Sequence, residues 1–258
     1  KNKKELSFLH SGHLGDILIS LPVIKELSKT HKCNFYIESN KVIPIHIKNR
    51  KHSSGNVYLT EKNVEMILPL LKNQPYMQRV DKYTNQNIDI DLNLFREMPL
   101  NFNMDHVSGR WYSHVTGVHP DLTSPYLSVE PINIYKDKII IIRNLTRKNY
   151  LISYNFLKTY KDLLFIGLKQ EYEDLKKEVP NLEFYDCKDF LEMAQIIQSC
   201  KFFLGNLSFG YTIAEGLKVP RLLEASPDFP LMYPYGKNAY DFYFQEHFEN
   251  LFKLLHSL

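Results

Sequence analysis

The sequence predicts an α/β fold made of two successive strand–helix–strand units. Three observations predict it. Short apolar runs of strand length alternate with helix-length amphipathic stretches along the chain, which is the rhythm of a parallel sheet with crossover helices. Two apolar runs, residues 6–9 and 138–142, each open one such alternation, one in each half. A hydrophobic share of 44% over 258 residues supports a full core in one large or two modest domains, and no apolar run approaches the length of a membrane-spanning helix.

Residues 6–9 form the first predicted strand. Ser11, Gly12 and Gly15 follow as a flexible loop, and Asp16 stands where a helix N-cap belongs. Ile17, Leu21, Ile24 and Leu27 recur at helical spacing as a buried stripe, with Pro22 removing one helical hydrogen bond and bending the helix. Residues 34–38 complete this strand–helix–strand unit, whose glycine-containing loop lies at the carboxyl end of a strand, the edge where open α/β sheets bind ligands. Asp16 has two readings: a plain N-cap, or a carboxylate exposed in a cleft and able to take a proton from a hydroxyl. His13 is a polar loop group or a second catalytic candidate.

Further strands are expected at residues 57–59, 78–80 and 88–94, with a helix at 64–71. The last of these strands alternates Ile and Leu with polar residues and turns Asp89 and Asp91 to solvent. Residues 101–120 read as a helix and a polar loop. His106, His114 and His119 fit no metal-ligand spacing, so no metal site is expected, while Arg110 and His106 are able to line a cleft. Pro120, Pro125 and Pro131 punctuate an extended stretch, and 125–137 is read as the linker between a first domain, 1–130, and a second, 138–258.

The second half begins with the buried strand 138–142. It ends in Arg143 and Asn144, followed by Thr146, Arg147 and Lys148, a basic loop suited to an anionic diphosphate or simply solvated. Helices are expected at 154–160, 171–179 and 190–199 and strands at 163–167 and 182–185. An amphipathic helix, 240–258, caps this domain or packs back on the first.

The richest stretch is 201–224, KFFLGNLSFGYTIAEGLKVPRLLE. It reads as strand, tight turn at Gly205 and Asn206, helix and strand, with Ser208 as N-cap, Phe209 opening the helix and Pro220 marking its exit. A helix that starts just after a strand presents free N–H groups and a positive dipole end, and Gly210 lets another group come close. Ser208 and Glu215 share one helix face about 10 Å apart, the span from a phosphate to a ribose. An ordinary helix corner with a solvated glutamate fits the same pattern.

Net charge is +3, too mild for a nucleic-acid partner. The KNKK start is able to touch an acidic membrane surface as a peripheral contact. Cys33, Cys187 and Cys200 are odd in number and far apart, and no signal-peptide core is evident, so a reducing, cytoplasmic location is expected. The 17 Tyr and 16 Phe serve a core or sugar-stacking platforms.

HSGHLGDILISLPVIKEL (residues 10–27) together with FLGNLSFGYTIAEGLKVPRLLE (203–224) resembles the GT-B glycosyltransferases, in particular the ADP-heptose-type glycosyltransferase family 9. The resemblance implies an α/β, GT-B-like fold of two Rossmann-like domains facing across a cleft, with acceptor on the first and nucleotide sugar on the second. It implies transfer of a sugar from a nucleotide-sugar donor to a hydroxyl of a glycan or lipid-linked glycan, with the donor as substrate and no cofactor or metal. Asp16 falls on the family's general base and Arg143 on its basic group after the first strand of the second domain. Ser208, Phe209 and Gly210, with Asn206 and Arg147 beside them, fall on the phosphate site, and Glu215 on the ribose-binding acid. The chain departs from the heptosyltransferase pattern at Leu207, where the family has Asp, and at Thr212, where it has His. A nucleotide-sugar 2-epimerase and a non-catalytic nucleotide- or glycan-binding module are the alternatives on the same fold.

Overall fold

The protein is described by a computed structural model covering residues 3–44, 54–97, 100, 108–228 and 231–258. It divides into two units, Lys1–Asp121 and Leu122–Leu258. No helix among the described residues is long and apolar enough to cross a membrane.

The first unit is built on a parallel sheet in the order β3-β2-β1-β4. Its strands are β1 (Glu5–His10), β2 (Lys32–Ile37), β3 (Met77–Lys82) and β4 (Ile90–Asp91), crossed by α1 (Leu14–Ser28) and α2 (Glu61–Lys72), with α3 (Trp111–Thr116) closing the unit. In α1 the apolar stripe is buried as expected, Ile17, Leu21 and Ile24 among it. The N-cap is His13 rather than Asp16; Asp16 sits three residues into the helix and accepts the His13 backbone N–H at 3.2 Å. The reason is local: an acid at that place satisfies an orphan donor of the first turn.

The alternating run 88–94 yields only the short β4. Asp91 caps a 3-10 turn, Leu92–Arg96, by accepting the Asn93 N–H at 2.9 Å, so the side chain ends the strand instead of facing solvent. Asp89 is exposed, as expected, and accepts the Ser7 N–H at 2.8 Å. Residues 57–59 contribute only an isolated bridge from Val57 to Val42. His106 lies outside the described residues.

The second unit carries a six-stranded parallel sheet ordered β10-β9-β8-β5-β6-β7. Its strands are β5 (Ile139–Ile142), β6 (Leu163–Phe165), β7 (Glu183–Phe184), β8 (Phe202–Asn206), β9 (Arg221–Glu224) and β10 (Ala239–Phe242). The helices are α4 (Lys169–Leu175), α5 (Phe190–Ser199), α6 (Phe209–Leu217) and α7 (Gln245–His256). Written from β7, this is the doubly wound order 3-2-1-4-5-6, whose direction reverses between β5 and β8. All four isoleucines of β5 are buried, the signature of a central strand covered on both faces.

Gly205 and Asn206 are the last residues of β8, not a turn after it. A Cβ on Gly205 would lie 2.4 Å from the Ile142 carbonyl oxygen, so the glycine is what lets β8 lie against β5 at this point. Residues 125–137 belong to the second unit: the Tyr126 and Leu127 N–H groups donate to the Gly216 carbonyl at 2.9 and 3.0 Å, and Ile132 donates to Gln195. The expected terminal helix is split into β10 and α7, and α7 buries Phe248, Phe252 and Leu255 in the second unit's own core.

Gly205→Ala is expected to lower the urea midpoint by the equivalent of about 3 kcal/mol, the upper end of ordinary overpacking, because a backbone oxygen is the obstacle and cannot rotate away. An unchanged midpoint would contradict this packing.

Candidate functional site

Each sheet has a switch point where crossovers diverge and a crevice opens at the carboxyl ends of the strands. In the first unit it lies between β1 and β4. There the Ser11 N–H donates to Asn93 Oδ1 at 2.9 Å, and Ser11 Oγ is buried with no partner among the described residues. In the second it lies between β5 and β8. There the Asn144 N–H donates to Asn206 Oδ1 at 2.7 Å, and Asn206 Nδ2 donates back to the Asn144 carbonyl at 2.8 Å.

At the first switch point Asp16 is partly buried and its Oδ2 receives Arg96 Nη2 as well as the His13 N–H. No described residue hydrogen-bonds its Oδ1. Burial pushes the carboxyl up, but the Arg96 guanidinium outweighs it and holds the group below its ordinary value. Arg96 is itself fixed between aromatic faces, 4.6 Å from the Tyr58 ring centre and 4.2 Å from that of Phe95. His13 Nδ1 lies 3.1 Å from the Tyr58 carbonyl, so the ring is turned toward Tyr58.

His10, fully buried at the end of β1, shapes the same loop. The Gly12 N–H donates to its Nδ1 at 2.9 Å, which places the proton on Nε2. Nε2–H then donates to the Tyr112 hydroxyl at 2.7 Å, and that hydroxyl donates to the Asp16 carbonyl at 2.9 Å. Burial lowers His10 to about 3, against the pull of Asp16, so the ring is neutral and the relay has one polarity. Neither Arg96 nor the His10–Tyr112 pair was singled out from the sequence. The separations of 80 residues for Arg96–Asp16 and 102 for His10–Tyr112 leave no local signal.

At the second switch point Ser208 is the N-cap of α6, its Oγ accepting the Tyr211 N–H at 3.3 Å. Phe209 and Gly210, the first two helical residues, present N–H groups with no partner in the helix. Phe209 packs its ring 4.4 Å from that of Phe190. The group that comes close to Gly210 is Ile142, whose Cδ1 would be 2.2 Å from an added Cβ, so this glycine seats α6 on β5. Arg147 ends the 3-10 turn Leu145–Arg147, which is capped by Asn144.

Two sequence candidates are placed elsewhere. Arg143 is buried, not presented to a diphosphate. Its Nε and Nη2 donate to the two oxygens of Glu224 at 2.7 and 3.1 Å, and its guanidinium lies 4.2 Å over Tyr154. A planar cation at the end of a central strand finds a fully buried carboxylate on β9, and that pairing removes it from solvent. Glu215 is also buried. It accepts Arg221 Nε at 2.6 Å, pairs with Lys218 and receives the Tyr235 N–H at 3.3 Å, so it is not a solvated acceptor on the helix face.

A third buried carboxylate at this switch point is Glu171, on the first turn of α4 after β6. Oε1 accepts Asn144 Nδ2 at 3.0 Å and Oε2 accepts the Leu168 N–H at 3.3 Å. Burial pushes it up to about 7, with these hydrogen bonds and Lys148 opposing. The sequence signal was an acid four residues after the strand–glycine corner FIG. Among the described residues, no group of three or more His, Cys, Asp or Glu is arranged to hold a metal ion.

No protein-family model matches the chain. No curated protein matches it in sequence. Solved structures do match over nearly the full length. The E. coli ADP-heptose LPS heptosyltransferase II is 11% identical with a TM-score of 0.60, covering 98% of both chains. A glycosyl transferase family 9 protein from Veillonella parvula is 11% identical with a TM-score of 0.58, covering 97% of this chain and 89% of its own. The E. coli heptosyltransferase WaaC with ADP is 13% identical with a TM-score of 0.57, covering 97% and 99%. The chain thus has the GT-B-type α/β fold seen in family 9 structures.

Two outcomes test the placement of the charges. Glu215→Gln is expected to cost about 3–5 kcal/mol in urea unfolding, because it strands the fully buried Arg221; a change below about 0.5 kcal/mol, ordinary for a solvated surface site, would restore the exposed reading. Glu171 binds its proton more tightly folded than unfolded, so the fold loses stability as pH rises from about 4.5 to about 7. Glu171→Gln removes that loss, and its stability relative to wild type should rise by up to about 3 kcal/mol between pH 4.5 and 8. A pH-independent difference would contradict the raised carboxyl.

Proposed function

We propose that the chain is a glycosyltransferase that moves a sugar from a nucleotide-sugar donor to a hydroxyl of a glycan or lipid-linked glycan. The observation that carries this reading is the Asp16 carboxylate at the switch point of the first sheet: Arg96 keeps it ionised through one oxygen, and no described residue hydrogen-bonds the other. Two further observations support it. The second sheet offers a serine-capped helix start at its own switch point, and the structures named above that share the fold are glycosyl- and heptosyltransferases, one with ADP.

In this reading the nucleotide diphosphate lies at the start of α6, against the N–H groups of Phe209 and Gly210 and the dipole end of the helix. Arg147 lies on the loop that Asn206 ties to the switch point and adds positive charge, while Lys148 beside it is paired with Asp174. The acceptor oxygen bonds to the anomeric carbon as Asp16 takes its proton. The bond from that carbon to the diphosphate oxygen breaks, and the diphosphate leaves with the electron pair, its charge met by the helix start.

A second reading is nucleotide or glycan binding without turnover. It is favoured by the burial of Arg143 and Glu215 in internal ion pairs, which removes two groups from the ligand's reach.

Asp16→Asn is expected to lower turnover by a factor of about 10²–10⁴, the usual contribution of a general base, with the dissociation constant for the nucleoside diphosphate unchanged. Turnover equal to wild type would remove Asp16 from the chemistry. Wild-type nucleotide binding without sugar transfer to any acceptor would select the second reading.

A further inference from the structure

A cavity of about 200 Å³ opens in the second unit beyond the carboxyl ends of β9 and β10, and none of the groups assigned above to the reaction lines it. Leu207, Ser226, Tyr233, Asp241 and Tyr243 are among its lining residues, with Glu224 beneath. Their chemistry is specific. Tyr233 and Tyr243 keep 47% and 36% of their surface exposed, so two large rings face an open space instead of a core. Ser226 is 5% exposed, yet its Oγ has no hydrogen-bond partner among the described residues. A buried hydroxyl left without a partner is costly and is normally satisfied by protein, water or ligand.

The charge around the cavity narrows the ligand class. Glu224 is already saturated. It accepts two bonds from Arg143, one from the Tyr154 hydroxyl at 2.8 Å and one from the Asn149 N–H at 2.6 Å. Among the described residues, Asp241 is therefore the lining carboxylate left with acceptor capacity, and no Lys or Arg lines the cavity. A phosphate or carboxylate would find no counter-charge. What fits is a neutral ring with an apolar C–H face for the tyrosines and edge hydroxyls for Asp241 and Ser226. The size suits a single six-membered sugar ring.

We infer that this cavity is a pyranose-binding site, built from the tyrosine pair, the Asp241 carboxylate and the unpartnered Ser226 hydroxyl. It extends the transferase reading by giving the chain a sugar subsite, but it does not rest on transfer: a methyl glycoside carries no nucleotide and no leaving group. Leu207 joins the cavity to the start of α6, being the residue between Asn206 and Ser208. The bound ring therefore belongs either to the donor's sugar or to the acceptor.

The test is saturation-transfer NMR on the intact chain with methyl α-D-glucopyranoside, methyl α-D-galactopyranoside and methyl α-D-mannopyranoside as probes. At least one is expected to receive saturation at its ring C–H protons. Tyr233→Ala and Tyr243→Ala should each weaken it by about tenfold, a loss of one good ring contact, and Ser226→Ala and Asp241→Asn should each weaken it several-fold. Both tyrosines are exposed, so these variants keep the fold, which the unchanged thermal midpoint verifies. Displacement of the glycoside by UDP-glucose, ADP-glucose or GDP-mannose, but not by the parent diphosphates, would assign the ring to the donor; binding alongside them would assign it to the acceptor. Absence of saturation transfer with all three glycosides overturns the inference. So does transfer that survives all four substitutions, or displacement of the glycoside by tetramethylammonium, which would mark the tyrosines and Asp241 as a cation site. Loss of nucleotide binding with glycoside binding retained would sink the transferase reading and leave this one standing.

Discussion

The structure depends on how a parallel sheet ends at its switch point. Strands that part there leave backbone groups without a ladder partner in a place that is buried, and each must find one. In both units an asparagine side chain does this. Asn93 receives the Ser11 N–H after β1, and Asn206 exchanges two hydrogen bonds with the Asn144 backbone after β5. The amide side chain copies a peptide group, so it prolongs the pairing while the main chain turns away. The loop that leads to His13 and the first turn of α1 in one unit, and the turn that carries Arg147 in the other, leave from these fixed points. The helix start at Ser208 leaves from the same bracket, two residues beyond Asn206. The base of each crevice is thus held by side-chain hydrogen bonds.

Around those points the protein separates its charges into two kinds. One kind is internal. Arg143 with Glu224, and Arg221 with Glu215, are buried pairs whose hydrogen-bonding capacity is filled by neighbouring carbonyls, hydroxyls and N–H groups. Such pairs add little net stability against apolar substitutes, but breaking one leaves a bare charge in the interior. They tie β5 to β9 and the end of α6 to β9. The other kind is set apart by its environment. Asp16 is driven below its usual range by an arginine held between rings, and Glu171 is raised by burial without an arginine partner. Each switch point thus carries one carboxylate moved from its ordinary range, in opposite directions and for different physical reasons.

Much of the fold was legible because its signals are local. The buried IIII of β5, the stripe of α1 and the Ser208 cap with Pro220 beyond it each fall within one element, and α5 and α6 occupy the residues their periodicity predicts. The errors came where a side chain overrode the pattern. Asp91 stops β4 by capping a 3-10 turn, although Ile, Asp, Ile, Asp reads as a continuing strand. The apolar character of β10 merged with that of α7, because Tyr240, Phe242 and Phe244 suit either period. Ser208 was legible as a helix cap from its place after a strand, whereas the cap expected at Asp16 is His13, with Asp16 in the first turn behind it. Arg143 and Glu215 were misread for a physical reason: a charged residue near a strand end is ordinarily solvated, and only the partner on β9 explains its burial. No local pattern names Glu224 or Arg221 as those partners.

The most direct test of the account is thermal unfolding with UDP, GDP, ADP and CMP, read on the wild-type chain and on Asn206→Ala. The account predicts a raised midpoint with one nucleotide, equivalent to about 2.7 kcal/mol at 100 times its dissociation constant, and loss of that increment when the bracket at the second switch point is removed. No shift with any of the four, or a shift that Asn206→Ala leaves intact, would contradict the claim that the crevice between β5 and β8 holds the nucleotide.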